Sequence, residues 1–413
     1  MTKEIDIPKG YKKTKVGVIP KEWEVKRINQ FASLASGGTP NREISEYWNG
    51  DIPWITTTLI NGKIIHSSEE YISTDGLNNS SAKIFSKETI LMAMYGQGQT
   101  RGRVSKLGIE AATNQACAAI TPDSSVNTDF LIEFLSLNYA NIRKLSNTGN
   151  QKNLNLQLIK TIPVKVPPLP EQQKIASILT TWDKAIEHVQ LVIDNLKVRN
   201  KGLAQQLLTG KKRLKGFEGE WRKEKLGKLL KEVKSKPVKC PEQYELISIK
   251  LYGKGIISTG KFPKNTKRGR SYHFRNEGEI IIGRQNFHNG SIAFMPKFKN
   301  KMIASNAISS FSSVNGIDDC WIINYLLRPS FYLWVENLIG GTGQKEINRK
   351  DFNNIPIVVP PFKEQQAIAK VLTNADQELK LYEKKLVALQ EQKKGLMQKL
   401  LTGQIRVNTK EKS

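Results

Sequence analysis

Few residues in this 413-residue chain are spaced for catalysis. Gly96-Gln97-Gly98-Gln99-Thr100-Arg101-Gly102 resembles a phosphate-cradling loop, but its third glycine falls one place late and no helix clearly follows. No G-x-x-x-x-G-K-S/T loop is present. The Asp/Asn-Pro-Pro-aromatic element used by amine methyltransferases would need Asp or Asn where Val166 and Val359 precede Pro-Pro. His66, His188, His273 and His288 have no ligand spacing, and Asp123, Asp129, Asp318 and Asp319 read as turn and cap residues. Cys117, Cys240 and Cys320 are isolated and odd in number, giving neither a disulfide framework nor a metal knuckle. The expectation is no catalytic residue, no metal site and no cofactor held by this chain.

Binding chemistry is better represented. Lys and Arg number 64 against 38 Asp and Glu, a net charge of +26 that suits a polyanion, nucleic acid first. Lys211-Lys212-Arg213, Lys215, Arg222, Lys223 and Lys225 form one basic run; Lys261, Lys264, Lys267, Arg268, Arg270 and Arg275 form another beside Asn265, Tyr272 and Phe274. Lys and Arg neutralise phosphates, whereas Arg, Asn and Gln make bidentate contacts with base edges. Tyr95, Gln97, Gln99, Arg101 and Arg103, and at a comparable place Arg284, Gln285, Asn286 and His288, are the candidates for base readout. Gln151-Lys152 and Gln344-Lys345, with Asn155 and Asn348, are shared types suited to phosphate contact or loop scaffolding.

These residues sit in a chain that contains itself twice. Pro167–Gly210 and Pro360–Gly403 align without a gap at an offset of 193, from Glu171-Gln172-Gln173 on Glu364-Gln365-Gln366 to Leu-Leu-Thr-Gly at the close. Each copy opens on Pro-Pro and ends on Gly, the punctuation of a long helix. Leu179, Trp182, Ile186, Val189, Ile193, Leu196, Leu203 and Leu207 follow a three–four spacing, broken once at Asn200. Leu372, Ala375, Leu379, Tyr382, Leu386, Leu389, Leu396 and Leu400 repeat it, broken at Lys393. Two matching seams predict an antiparallel coiled coil, with the polar steps marking orientation rather than facing each other.

The intervening segments also correspond. Glu22-Trp23 matches Glu220-Trp221, and Ile162–Val166 matches Ile355–Val359. Lys21–Ile28 reads as a short amphipathic helix or turn, Asp51–Thr58 as an edge strand, and Asp129–Leu145 as a helix. The expected architecture is α+β: two globular α/β domains, 1–166 and 214–359, separated and followed by helical segments, 167–213 and 360–413, with an intramolecular pseudo-twofold. A helix over 171–208 would be roughly 57 Å long. Pairing would then place the halves at opposite ends of a ruler spanning about a turn and a half of duplex, reading two different half-sites. No apolar run approaches the roughly 18 residues of a membrane span, and the first residues lack a secretion signal's apolar core, so the expected compartment is the cytoplasm.

Gly17-Val18-Ile19-Pro20 with Trp23, Gly37-Gly38-Thr39-Pro40, Asp51-Ile52-Pro53-Trp54, the two Pro-Pro-x-x-Glu-Gln-Gln openings and the two Leu-Leu-Thr-Gly closings together resemble the specificity subunits of type I restriction–modification enzymes along the full chain. The resemblance implies two target-recognition domains, each reading half of an asymmetric bipartite site in double-stranded DNA. It implies helices that set the gap and bind two modification subunits, with restriction subunits completing the complex. S-adenosylmethionine, ATP and Mg would reside on those partners. Phe362-Lys363 stands where the first copy has Leu169-Pro170, loosening that helix entry. The rival readings are a self-contained DNA methyltransferase or nuclease, and a coiled-coil adaptor without DNA binding.

Overall fold

The computed structural model describes residues 7–62, 64–96, 99–146, 153–263, 271–338 and 346–409. The chain divides into two compact units, Met1–Gln190 with Lys384–Ser413, and Leu191–Glu383. Both have the same α+β plan.

In the first unit a five-stranded sheet runs in the order Ala32–Ser36, Cys117–Pro122, Ile90–Ala93, Val104–Leu107, Ile64–Ile65. A four-stranded sheet beside it runs Glu70–Ile72, Trp48–Ile55, Ala111–Thr113, Ile84–Phe85. The central strand, Ile-Leu-Met-Ala, is buried throughout because both its faces are covered. Ile90 and Met92 join the main core, while Leu91 and Ala93 join a second cluster. The second unit repeats this with Ile280–Gly283: Ile280 and Ile282 on one side, Ile281 on the other.

Helices close each main core. Phe130, Leu131, Phe134 and Leu135 do so in the first unit, and Trp321, Ile322, Tyr325 and Leu326 in the second. The first long helix is Leu169–Leu208 and the second Phe362–Leu400. Ile175 and Leu179, near the start of one, share a core with Met397 and Leu400, near the end of the other. Leu207 and Leu208 likewise share a core with Ile368 and Leu372. The helices therefore run antiparallel within each unit. Val189, Ile193 and Leu196 are buried, and Trp182, Ile186, Leu203, Leu379, Tyr382, Leu386, Leu389 and Leu396 are half-buried. Off the seam, Val198 is 73% exposed and Leu381 66% exposed, so the three–four spacing marks the packed stripe.

Both polar steps are satisfied. The Asn200 side-chain amide donates to the Ala375 carbonyl at 2.9 Å. Lys393 Nζ bridges Glu133 Oε1 at 2.9 Å and Asp183 at 2.6 Å. Burial pushes the Glu133 carboxyl up to about 7, with Lys393 pulling it down and Asp183 adding to the rise. A folded-state value above the ordinary 4.5 means that the native state keeps a proton the unfolded chain releases. Glu133's contribution is therefore full below about pH 4.5 and declines as the pH rises to about 7. Wild type should lose stability relative to the neutral Glu133→Gln variant between about pH 5 and about pH 8 in thermal melts; a pH-independent difference would contradict this assignment.

Three local expectations need correction. Lys21–Ile28 holds a strand, Glu24–Arg27, paired with Pro163–Val166, because those residues complete a two-stranded ribbon at the helix entry. The strand through Asp51-Ile52-Pro53 is interior rather than edge. It bulges between Trp48 and Ile52 on one side, where Pro53 lies opposite Tyr71, and its pairing on the other side begins only at Trp54. The helix over 129–145 is two helices, Thr128–Leu137 and Tyr139–Leu145, broken where the Asn138 side chain and backbone both donate to the Phe134 carbonyl.

Candidate nucleic-acid interface

The duplicated Trp, Glu and Gln build an anchor in each unit. The Glu171 carboxylate is buried and accepts from Trp23 Nε1 at 3.0 Å and from Arg406 at 2.6 and 2.9 Å. Glu364 accepts from Trp221 Nε1 at 3.1 Å and from Arg213 at 2.6 and 2.7 Å. These hydrogen bonds raise the pKa of both arginines. Gln172 accepts from the Asn127 N–H and donates to the Pro167 and Ser125 carbonyls; Gln365 does the same with Asp318, Pro360 and Gly316. The closing glycines, Gly210 at φ +71° and Gly403 at φ +78°, take a left-handed turn that side chains disfavour, against Trp221 and Trp23 respectively. Arg213 is thus a structural partner rather than part of the open basic run. Arg275, from the second run, is buried with its guanidinium on the Phe274 and Ile308 carbonyls, and burial lowers its pKa. Of the other cations of the first run, Lys211, Lys212, Lys215, Arg222 and Lys223 are exposed.

With helix and core joined, each unit presents the segment that follows its central strand. The Met94 carbonyl accepts from the Leu154 N–H at 3.1 Å, and the Arg284 carbonyl accepts from the Ile347 N–H at 3.3 Å. The two segments are therefore topologically equivalent, and each lies beside the return of the chain at 153–155 or 346–348. Asn155 and Asn348 cap the following helices, accepting from Leu158 and Asp351 N–H, so theirs is a scaffolding role.

In the first unit Tyr95 is 41% exposed and Gln99 is exposed, while Arg101 and Arg103 are half-buried. Arg103 donates to the Gln99 side chain at 2.8 Å, and Tyr139 Oη donates to the Gln99 carbonyl at 2.6 Å. Arg143 donates to that hydroxyl at 2.8 Å. Tyr139 and Arg143 escaped the sequence reading because they lie on a helix some 40 residues away, at a place no repeat singles out. In the second unit Arg284–Asn289 forms a 3-10 turn, held by buried Phe287 against Phe331 and Phe352. Gln285 and Asn286 are exposed. Arg284 is tied to the Asn306 carbonyl at 3.0 Å and to Glu346 at 3.3 Å, and a His288 ring nitrogen lies 3.1 Å from Asn289 Nδ2. Of the described candidates for base readout, Tyr95 and Gln99 in one unit, and Gln285 and Asn286 in the other, are exposed. Gln97, Gln151, Lys152, Lys264, Lys267, Arg268, Arg270, Gln344 and Lys345 lie outside the described residues.

A family model described as the type I restriction modification DNA specificity domain matches residues 20–197 and again 218–391. The chain is 26% identical to the type I restriction enzyme MjaIX specificity subunit of Methanocaldococcus jannaschii, over 96% of each chain. It is 21% identical to the type I restriction enzyme EcoKI specificity subunit of Escherichia coli K12, over 86% of this chain and 82% of that one. Its fold is similar to that of the type I restriction-modification system S subunit from M. genitalium, with a TM-score of 0.56 at 18% identity over 92% of this chain and 96% of that one. A structure described under complex assembly and conformational transition of the type I R-M system matches with a TM-score of 0.54 at 14% identity, over 94% and 99%.

Proposed function

Since the chain belongs to the type I restriction modification DNA specificity family, we propose that it is the DNA-recognition subunit of a type I restriction–modification complex. It binds an asymmetric bipartite site in double-stranded DNA and positions adenine-methylating modification subunits, two in number, and restriction subunits. The reading rests above all on duplication with divergence. One scaffold occurs twice with the same anchors, Trp23–Glu171–Arg406 and Trp221–Glu364–Arg213. The exposed residues after the central strand differ between copies. A shared scaffold supplies position and unlike loops supply unlike readout. The net charge of +26 supplies the sequence-independent attraction to phosphate.

On this reading the chain performs no catalysis; S-adenosylmethionine, ATP and Mg are used by its partners. Among the described residues no helix is long and apolar enough to cross a membrane. The proposed compartment is the cytoplasm, where the DNA substrate lies.

A segment exchange tests this. Residues 1–166 are replaced by the equivalent segment of another family member, and the modified sequence is read from the assembled complex. One half of the site should change and the other persist. Change in both halves would contradict modular reading, and saturable S-adenosylmethionine binding by the isolated chain would favour a self-contained methyltransferase.

A further inference from the structure

The second unit contains a cavity of about 450 Å³ lined by residues whose counterparts in the first unit pack on its main core. Strand register and hydrogen bonding pair the two units residue by residue. Ile120 lies between Leu34 and Ile90 as Phe311 lies between Glu232 and Ile280. Ala118 faces Met92 as Ser309 faces Ile282. Met94 and Arg284 are matched by their bonds from Leu154 and Ile347; Leu156 and Arg349 each follow a capping Asn. Where the first unit packs Leu34, Met94, Ala118 and Leu156 on its main core, the second has Glu232, Arg284, Ser309 and Arg349 around an opening.

One wall has changed too. Ile120 and Ile159 correspond to Phe311 and Phe352, whose rings stack at 5.0 Å and 30°. Arg349 pairs with Glu232, and exposed Lys231 and Lys234 stand at the rim, so cations outnumber the carboxylate lining the cavity. An aromatic wall beneath excess positive charge, at the volume of a small-ligand pocket, suits an anion with an aromatic portion.

We propose that this cavity binds a nucleotide, its phosphate held by Lys231, Lys234 and Arg349 and its base packed against the aromatic wall of Phe311 and Phe352. The nucleotide comes either from the DNA bound by the second unit, which rests on the function proposed above, or from solution, which does not. The wild-type complex with its modification partner is compared with Glu232→Leu/Arg284→Met/Arg349→Leu, which installs the first unit's residues, and with Lys231→Gln/Lys234→Gln, which alters only exposed side chains. Each is melted with and without the four deoxynucleoside 5′-monophosphates and titrated with a duplex carrying the target site at fixed salt. A DNA source predicts about tenfold weaker duplex binding by the triple variant and a smaller loss by the lysine pair. A free nucleotide predicts a wild-type melting shift, lost in both variants, with duplex affinity unchanged. Should the triple variant misfold, the lysine pair decides between these outcomes. The proposal is overturned if no monophosphate shifts the wild-type melt and every folded variant binds duplex like wild type. A wild type that binds no duplex contradicts the DNA-recognition reading separately, leaving the melting arm to decide the pocket.

Discussion

Glu364→Ala should destabilise the second unit by about 2–4 kcal/mol. The carboxylate is 0% exposed and carries three donors, two from Arg213 and one from Trp221. Removing it leaves a guanidinium and an indole N–H without their acceptor. Breaking a buried pair costs about 3–5 kcal/mol, but the Arg213 side chain is 30% exposed and regains water, which lowers the range. For a unit of this size the melting temperature should fall by roughly 8 °C. Glu364→Gln keeps one acceptor oxygen and should cost about half as much. The double change Glu364→Leu/Arg213→Met should lie nearer wild type than Glu364→Ala, because no orphaned charge remains. A shift below about 0.5 kcal/mol for Glu364→Ala would show the anchor to be incidental.

Gly37→Ala should cost about 3 kcal/mol in the first unit, through backbone rather than charge. Gly37-Gly38-Thr39-Pro40 threads a gap between two backbone segments. A Cβ on Gly37 would overlap the Thr113 carbonyl oxygen, and one on Gly38 would overlap Ser81. That same carbonyl accepts from the Gly38 N–H at 2.9 Å, while the Gly38 carbonyl accepts from Trp54 Nε1 at 2.9 Å. Thr113 is a buried strand residue paired with Ile55 and has no room to withdraw. The contrasting substitution is Gly395→Ala in the second long helix, where an added methyl meets nothing within 4 Å. It should stabilise by about 0.5–1 kcal/mol. Thermal melts of both separate steric exclusion from general sensitivity to glycine replacement; equal effects would refute the threading account.

Much of this organisation was legible because it was written twice. The offset of 193 that aligns Glu171 with Glu364 also aligns Arg213 with Arg406, so the anchors could have been completed from the repeat. Helix spacing located the packed stripe because period and burial are coupled by geometry. Strand position was less legible: whether Trp48–Ile55 is edge or interior depends on partners distant in sequence. Side-chain availability was hidden as well. Lys212 and Arg213 are neighbours of like charge, yet one is exposed and the other is held by Glu364. Composition reports charge, and only the fold reports which charge is already satisfied. The cavity in the second unit was likewise invisible, since Arg284 and Arg349 line it from separate elements.

The most direct measurement is a genome-wide map of N6-methyladenine in a host expressing this chain with its modification partner. Two unlike units predict a split, asymmetric motif: two different specified parts separated by a fixed number of unspecified bases. A continuous motif, or a motif with identical halves, would contradict recognition by two divergent copies of one scaffold.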